Sequence, residues 1–282
     1  MSRAFQIMLL SCLCLCSIGC NHSKQIGPKP EQIKIGDIAP SLKGKQPTTE
    51  LLNAVTLDVH IFEIPADNII KLSDAWQMLY IKPLLFTDYN AFQANSFIVR
   101  FGQISVLETI LDLLNAAGGQ KLVTVSLMLP DEQANDITIT GLNSKKKISF
   151  IAANNSGQRT NIGPGILALR IKAEKVPESR NICKIVAYPV FTTDTKSSIP
   201  ELTARAQFRE FLFSSVCFGV KMGPGDFILL GPEKYNSDQS SLDSLFFSKP
   251  EGSLFFSKPE YGAPRLKTAV RIFLLVCSGI NF

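Results

Sequence analysis

The most constraining stretch of this chain lies near its C-terminus, where Lys267–Ser278 is apolar on both faces of an extended backbone. Val270, Ile272, Leu274 and Val276 fall on one side, while Ala269, Phe273, Leu275 and Cys277 share the other with Arg271. At roughly 12 residues the run is too short for a membrane helix, which needs about 20, yet long enough for a membrane strand of about 9–11. Two environments take such a strand: the centre of a packed core, or a sheet facing lipid. The packed core is the commoner of the two.

The remaining periodicities are mostly of strand type. Val55, Leu57, Val59 and Ile61 alternate along Val55–Ile64, and Pro65 ends that strand. Asp67–Tyr80 reads as a helix and Asn95–Phe101 as a strand. Ser105-Val106-Leu107-Glu108 has the form of a capping box, and Leu107, Ile110, Leu111 and Leu114 make one apolar face of the helix behind it. Gly118-Gly119 stop that helix. Strands are expected at Lys121–Leu129, Asp136–Thr140 and Lys146–Ala152, then a turn at Asn154–Gly157. Ile166–Lys175 points Leu167, Leu169, Ile171 and Ala173 inward and Ala168, Arg170, Lys172 and Glu174 outward, with Asn181–Thr192 as its hairpin partner. Glu201–Arg209 is a helical turn or a crossing loop. Phe211–Met222 and Phe227–Leu230 flank Gly223-Pro224-Gly225-Asp226, a link that signals a hairpin. Polar, turn-rich residues 231–264 hold a tandem repeat, Ser244–Glu251 recurring as Ser253–Glu260. One pair is too few for a solenoid, so it reads as a duplicated loop at 244–260. Its Phe246, Phe247, Phe255 and Phe256 either cover a core or touch a partner. The sum is an α+β chain: strand-rich, mainly antiparallel sheets with two packed helices.

The N-terminus carries a different signal. Met1-Ser2-Arg3 precedes an almost uncharged run from Ala4 to Gly19, the pattern of a cleavable secretory leader. Ser17-Ile18-Gly19-Cys20 resembles a bacterial lipobox, although Ser17 stands where Leu is usual. The expectation is a signal peptide at 1–19, a diacylglycerol on Cys20, a lipid-anchored flexible tether at 20–54 rich in Lys, Pro, Gly and Gln, and a folded domain at 55–282. An ordinary leader cut nearby, or an uncleaved anchor, is the plainer alternative. Asn21 favours the outer membrane over the inner one, where sorting prefers Asp.

Among seven cysteines, Cys12, Cys14 and Cys16 leave with the leader, and Cys183, Cys217 and Cys277 remain beside Cys20. No C-x-x-C pair joins those three, which argues against zinc or a redox motif. They read as buried small hydrophobes, with one disulfide and one cysteine left over as the alternative in an oxidising compartment. A net charge of +5 with no basic stripe gives nucleic-acid binding no support. Of two histidines, His22 lies in the tether and His60 on the polar side of the first strand near Glu63. No zincin, nucleophile-elbow, Walker or dinucleotide motif occurs. No catalytic, cofactor or metal residue is therefore expected, and no small-molecule substrate is identified. A hydrolase needing two carboxylates would have Asp58 and Glu63 as its best residues.

The order of these segments resembles the C-terminal domain of secretins, the ring-forming outer-membrane channel subunits of secretion and pilus machines. The likeness runs through Leu57–Ile64, the helix and strand of Ile104–Pro130, Asp131–Gly141, the hairpin Ile166–Thr192, Gly223-Pro-Gly-Asp-Phe-Ile-Leu-Leu-Gly231, the Leu-Phe pairs at 245–246 and 254–255, and the closing Arg271–Val276. It spans residues 55–280 and departs at Pro232, where the family has a second glycine. What it implies is the secretin-domain fold and, by analogy, a self-associating scaffold or channel subunit linked to protein secretion. A monomeric lipoprotein binding another envelope protein, through the Phe-rich 244–260 segment, is the alternative.

Overall fold

The first alternating segment forms strand β1 (Ala54–Pro65). It runs through a 3-10 turn, Ala66–Leu72, into a short helix α1 (Ser73–Met78). Then follow β2 (Leu85–Phe86), α2 (Tyr89–Ala94), β3 (Phe97–Gly102) and α3 (Ile104–Ala116). Strands β4 (Gln120–Pro130), β5 (Ala134–Leu142), β6 (Lys146–Ile151), β7 (Gly157–Ile162), β8 (Gly165–Lys175) and β9 (Cys183–Thr193) succeed one another. The last elements are β10 (Glu210–Leu212), a 3-10 turn at Ser214–Val216, β11 (Phe218–Met222), β12 (Phe227–Pro232), α4 (Leu242–Phe247) and β13 (Ala269–Asn281). The structure, a computed structural model, describes residues 53–193, 210–235, 240–248 and 268–281, all within the unit Glu50–Phe282. The expected leader 1–19, Cys20, the tether up to Leu52, Glu201–Arg209, and Phe255 and Phe256 lie outside the described residues.

The fold is α+β with antiparallel strand pairing. One sheet has five strands in the order β3-β12-β13-β1-β4; a second has β2-β11-β9-β8-β5, with β10 also pairing with β9. A separate hairpin joins β6 to β7. The inner faces of the two large sheets share one core, including Leu57, Val59, Phe273 and Leu275 from the first and Leu169, Ile171, Ile185 and Val220 from the second. The outer face of the five-stranded sheet has its own core, where Phe62, Ile64, Ile272 and Leu274 meet Leu72 and Ala75 of the N-terminal turn and α1, and Ile110 and Leu114 of α3. The described body is thus layered as helices, sheet, sheet. Two short helices beyond the two expected, α2 and α4, contribute Phe92, Phe246 and Phe247 to the inter-sheet core.

This layering explains the C-terminal run. β13 sits third of five, hydrogen-bonded to β1 along its length and to β12 at Phe273–Val276. Phe273 and Leu275 face the second sheet while Ile272 and Leu274 face the helices. A strand covered on both sides needs apolar residues at every position, and β13 takes the packed-core option rather than the lipid-facing one. β12, buried throughout, is its equal neighbour.

Four local expectations are corrected. The capping box at Ser105 does not form: α3 starts at Ile104, Gln103 is its N-cap, and no side chain caps it. The preceding strand holds its register with β12 up to Gly102, opposite Phe227, which leaves one residue before the helix and puts Ser105 inside the first turn. The C-terminal expectation fares better. Gly118 has a φ of 79°, and Gly119 N–H donates to the Leu114 carbonyl at 2.9 Å.

The link Gly223–Asp226 is not a hairpin turn. β11 pairs with β9 and β2 in one sheet, whereas β12 pairs with β13 and β3 in the other. A tight turn forms, with Gly225 at a φ of 88° and Gly223 N–H donating to the Asp226 carboxylate at 2.8 Å. Both faces of β12 are apolar, so the strand goes to the doubly covered sheet instead of folding back on β11. The segment before it is also not one strand: a 3-10 turn at Ser214–Val216 separates β10 from β11 and buries Phe213 and Val216.

The hairpin β8–β9 pairs from Gly165 opposite Thr193 to Lys175 opposite Cys183. Leu167, Leu169, Ile171 and Ala173 point into the core as expected; Ala168, expected outward, is buried as well. A side chain at Gly165 would overlap the Thr192 carbonyl, a backbone atom that cannot rotate away. Gly165→Ala is expected to destabilise the domain by about 1–3 kcal/mol in thermal or urea unfolding.

Candidate interaction surface at the open edge of β4

β4 pairs with β1 on one side, and no described strand pairs with its other side. Its eleven residues present a row of backbone donors and acceptors of the kind that templates another strand. The strand has no internal proline, since Pro130 is its last residue. Its register with β1 places Val123, Val125, Leu127 and Leu129 opposite Ile61, Val59, Leu57 and Val55, on the core side. Leu127 and Leu129 are buried, but Val123 is 45 % exposed. Leu122, at an irregularity in the pairing, is 47 % exposed, and Met128 on the opposite face is 60 % exposed. The first half of β4 therefore leaves apolar side chains exposed beside a backbone edge that no described strand covers. That combination is an aggregation hazard in a strictly monomeric protein and a docking strip in an associating one.

The outward face of the same β1–β4 ribbon is polar from Asp58 to His60 and from Thr124 to Ser126. Thr124 and His60 hydrogen-bond at 2.8 Å through His60 Nδ1, and Ser126 donates to the Asp58 carboxylate. Burial and the Lys121 charge hold the His60 imidazole below its usual pKa, against the opposing pull of Asp58. At the end of the strand, Glu132 N–H donates to the Ala173 carbonyl and Lys175 N–H to the Asp131 carboxylate at 2.8 Å. These bonds tie the turn after β4 to β8, so the edge is anchored to both sheets at Pro130 and free towards Gln120.

The sequence candidates fall elsewhere. Of the two options for Phe246 and Phe247, covering a core or touching a partner, their full burial fits the first. Their rings lie 5.3 and 4.8 Å from Phe97, with Phe273 beyond. The described part of the first repeat copy, Ser244–Ser248, belongs to a core-filling helix and its C-cap, and Ser241 and Ser244 form a capping box at the start of that helix. Asp58 and Glu63 do not meet. They sit on opposite faces of β1, five positions apart, which is roughly 17 Å along a strand. Asp58 faces the Thr124–Ser126 side, whereas Glu63 is buried against Arg271 between the sheets. No group of three or more metal-ligating side chains occurs among the described residues, and no described helix is long and apolar enough to cross a membrane.

Comparison with protein-family models, with curated proteins and with solved structures finds no match.

Two other polar features have structural roles. A cleft of about 610 Å³ is lined by Asn95, Arg159, Ser241 and Asp243. The Asn95 amide is already committed, donating to the Ala91 and Ile151 carbonyls and accepting from Ile151 N–H. Burial pushes the Asp243 carboxyl up, partly countered by hydrogen bonds from Ser241 and the local backbone. On the solvent face of the second sheet, Arg170 bridges Asp136 and Glu210, both at 2.7 Å, so that one guanidinium clamps β5, β8 and β10. The Arg170 hydrogen bonds hold the Glu210 carboxyl below its usual range. A depressed carboxyl contributes stability above its unfolded pKa and loses it as pH falls through the folded one. Arg170→Ala is therefore expected to cost about 1 kcal/mol at pH 7. In urea melts against pH, that difference should shrink below about pH 4 as the Glu210 carboxylate protonates.

The β4 strip was the part that sequence reasoning missed. Alternation placed the strand, but its exposure follows from being last in the sheet order, and order depends on pairings distant in the chain.

Proposed function

We propose that this protein is a lipid-anchored envelope protein without catalytic chemistry, whose strand-rich domain self-associates through the open edge of β4. Its role would be that of a secretin-like scaffold or channel subunit linked to protein secretion. The leader and Cys20 support the anchor: a diacylglycerol buries enough methylenes to hold a chain at a membrane without a spanning helix. Asn21 supports the outer membrane. The segment order resembling the secretin domain supports an oligomeric role. The single observation that carries self-association is β4 itself, an eleven-residue edge that no described strand pairs, with Leu122, Val123 and Met128 exposed along it.

Adding a strand supplies main-chain hydrogen bonds together with apolar contacts from alternate side chains. Pairing of β4 with β4 of a second copy is two-fold and closes as a dimer; pairing with a different edge propagates into a ring. Particle mass in mild detergent separates the two. The full chain is expected to run heavier than one protomer, and Val123→Lys to shift it towards the monomer with the circular dichroism spectrum unchanged. A wild-type monomer at every concentration would contradict self-association. For the anchor, Cys20→Ser is expected to move the protein from the membrane fraction to the soluble one, and unchanged partitioning would contradict lipidation. Capture of a strand from another envelope protein uses the same edge and is the second reading; it predicts a monomer alone and protection of β4 only when the partner is added.

A further inference from the structure

The two large sheets carry one cysteine each on their facing sides, and these two meet. Cys183 opens β9 and is paired in register with Met222, the last residue of β11. Cys277 lies on β13, opposite Leu57. Only the short link Gly223–Asp226 separates their neighbours. At one end Cys183 Sγ lies 3.6 Å from the Met222 carbonyl oxygen; at the other, Cys277 N–H donates to the Asp226 carbonyl at 2.9 Å and Gly225 N–H to the Cys277 carbonyl at 2.7 Å. Both side chains belong to the one core that the two sheets share. Both residues are completely buried, whereas Cys217, the third described cysteine, is half-buried and hydrogen-bonds to Thr87.

We propose that Cys183 and Cys277 form a disulfide that pins the five-stranded sheet to the six-stranded sheet, with Cys217 remaining a thiol.

Its chemistry is thiol–disulfide exchange. The thiolate of one cysteine attacks a sulfur of an oxidised low-molecular-weight disulfide and displaces one thiol. The second cysteine then attacks the mixed disulfide and displaces the other thiol. Two protein thiols lose two hydrogens and two electrons, and the oxidant becomes two free thiols. Either thiolate can make the first attack, since both are accessible until the core closes. In the closed core neither sulfur is accessible, so the bond forms as β13, the last strand, docks. An inter-sheet bond spanning a loop this long constrains the unfolded chain strongly. The inference is independent of export: an oxidising envelope would supply the oxidant in the cell, but the pairing follows from the packing.

The test is to unfold and reduce the full chain, then refold it in a buffer of oxidised and reduced glutathione. Alkylation in denaturant without reductant, followed by peptide mapping, reads the outcome. The expected result is a cross-linked peptide pair containing Cys183 and Cys277, with Cys217 alkylated. Melting should occur about 5–15 °C higher in the oxidised than in the reduced protein. Cys217→Ser should give the same linked pair, which keeps the test valid if Cys277→Ser fails to fold. Alkylation of both core cysteines, glutathione adducts on them, or a link to Cys217 would overturn the proposal.

Discussion

Phe246→Ala and Phe247→Ala are each expected to cost about 3–5 kcal/mol of folding stability. Both rings are fully buried, packed on each other at a centroid distance of 5.0 Å and on Phe97 and Phe273. Phe97 leads on to Phe92 and Phe218, so the cluster joins α4 and α2 to strands of both sheets. Each truncation removes a ring from a close-packed interior that can only partly collapse around the void. The measurement is urea unfolding followed by far-ultraviolet circular dichroism, and a change below about 1 kcal/mol would place these rings outside the core. The same experiment reads the tandem repeat. Were the 244–260 segment a partner-binding loop at its first copy, Phe246→Ala would weaken binding and leave stability alone.

That point shows where sequence reasoning stops. The repeat stood out, but its polar and glycine-rich surroundings suggested a loop, and the six-residue helix α4 is too short to give an apolar periodicity. Elements with strong alternation, β1, β8 and β9, fall where their patterns put them, because side-chain direction in a strand has period two, and β13 falls where its two-sided apolar run puts it. The α+β class follows from them. The link Gly223–Asp226 misled for a physical reason: a tight turn is the same local object whether the following strand folds back on its neighbour or crosses to another sheet. Edge position is not a local property either, which is why the exposed residues of β4 were invisible beforehand. The β4 strip, like the meeting of Cys183 with Cys277, needs sheet order and register.

Glu63→Ala is expected to be as damaging, at about 3–5 kcal/mol. Glu63 is 1 % exposed, and its Oε1 lies 3.6 Å from Arg271 Nε on the adjacent position of β13. Arg271 reaches across the layers to donate to the Ile139 carbonyl of β5 at 2.9 Å, so the pair bridges the two sheets. Burial lowers the Arg271 pKa, and Glu63 opposes that shift. Removing the carboxylate leaves a cation in a low-dielectric space without its counter-charge, the costly case for buried pairs. Replacing both partners at once, Glu63→Leu with Arg271→Met, removes both charges and is expected to restore stability to near the wild-type value or above it. A double variant as unstable as Glu63→Ala would mean that the cost comes from lost packing and not from the stranded charge. The pair also explains why one charged residue is tolerated in β13, whose other core-side positions are apolar: Arg271 is held between a carboxylate and a carbonyl.

Self-association requires a second copy to seat along β4. Amide hydrogen exchange of the full chain in mild detergent, compared at low and high protein concentration, reads this directly. Self-association through the edge predicts that exchange across Lys121–Ser126 slows as concentration rises, while amides of the central strands β12 and β13 keep their protection unchanged. Equally fast exchange along β4 at both concentrations, in a particle heavier than one chain, would contradict it, because the copies would then be meeting through another surface.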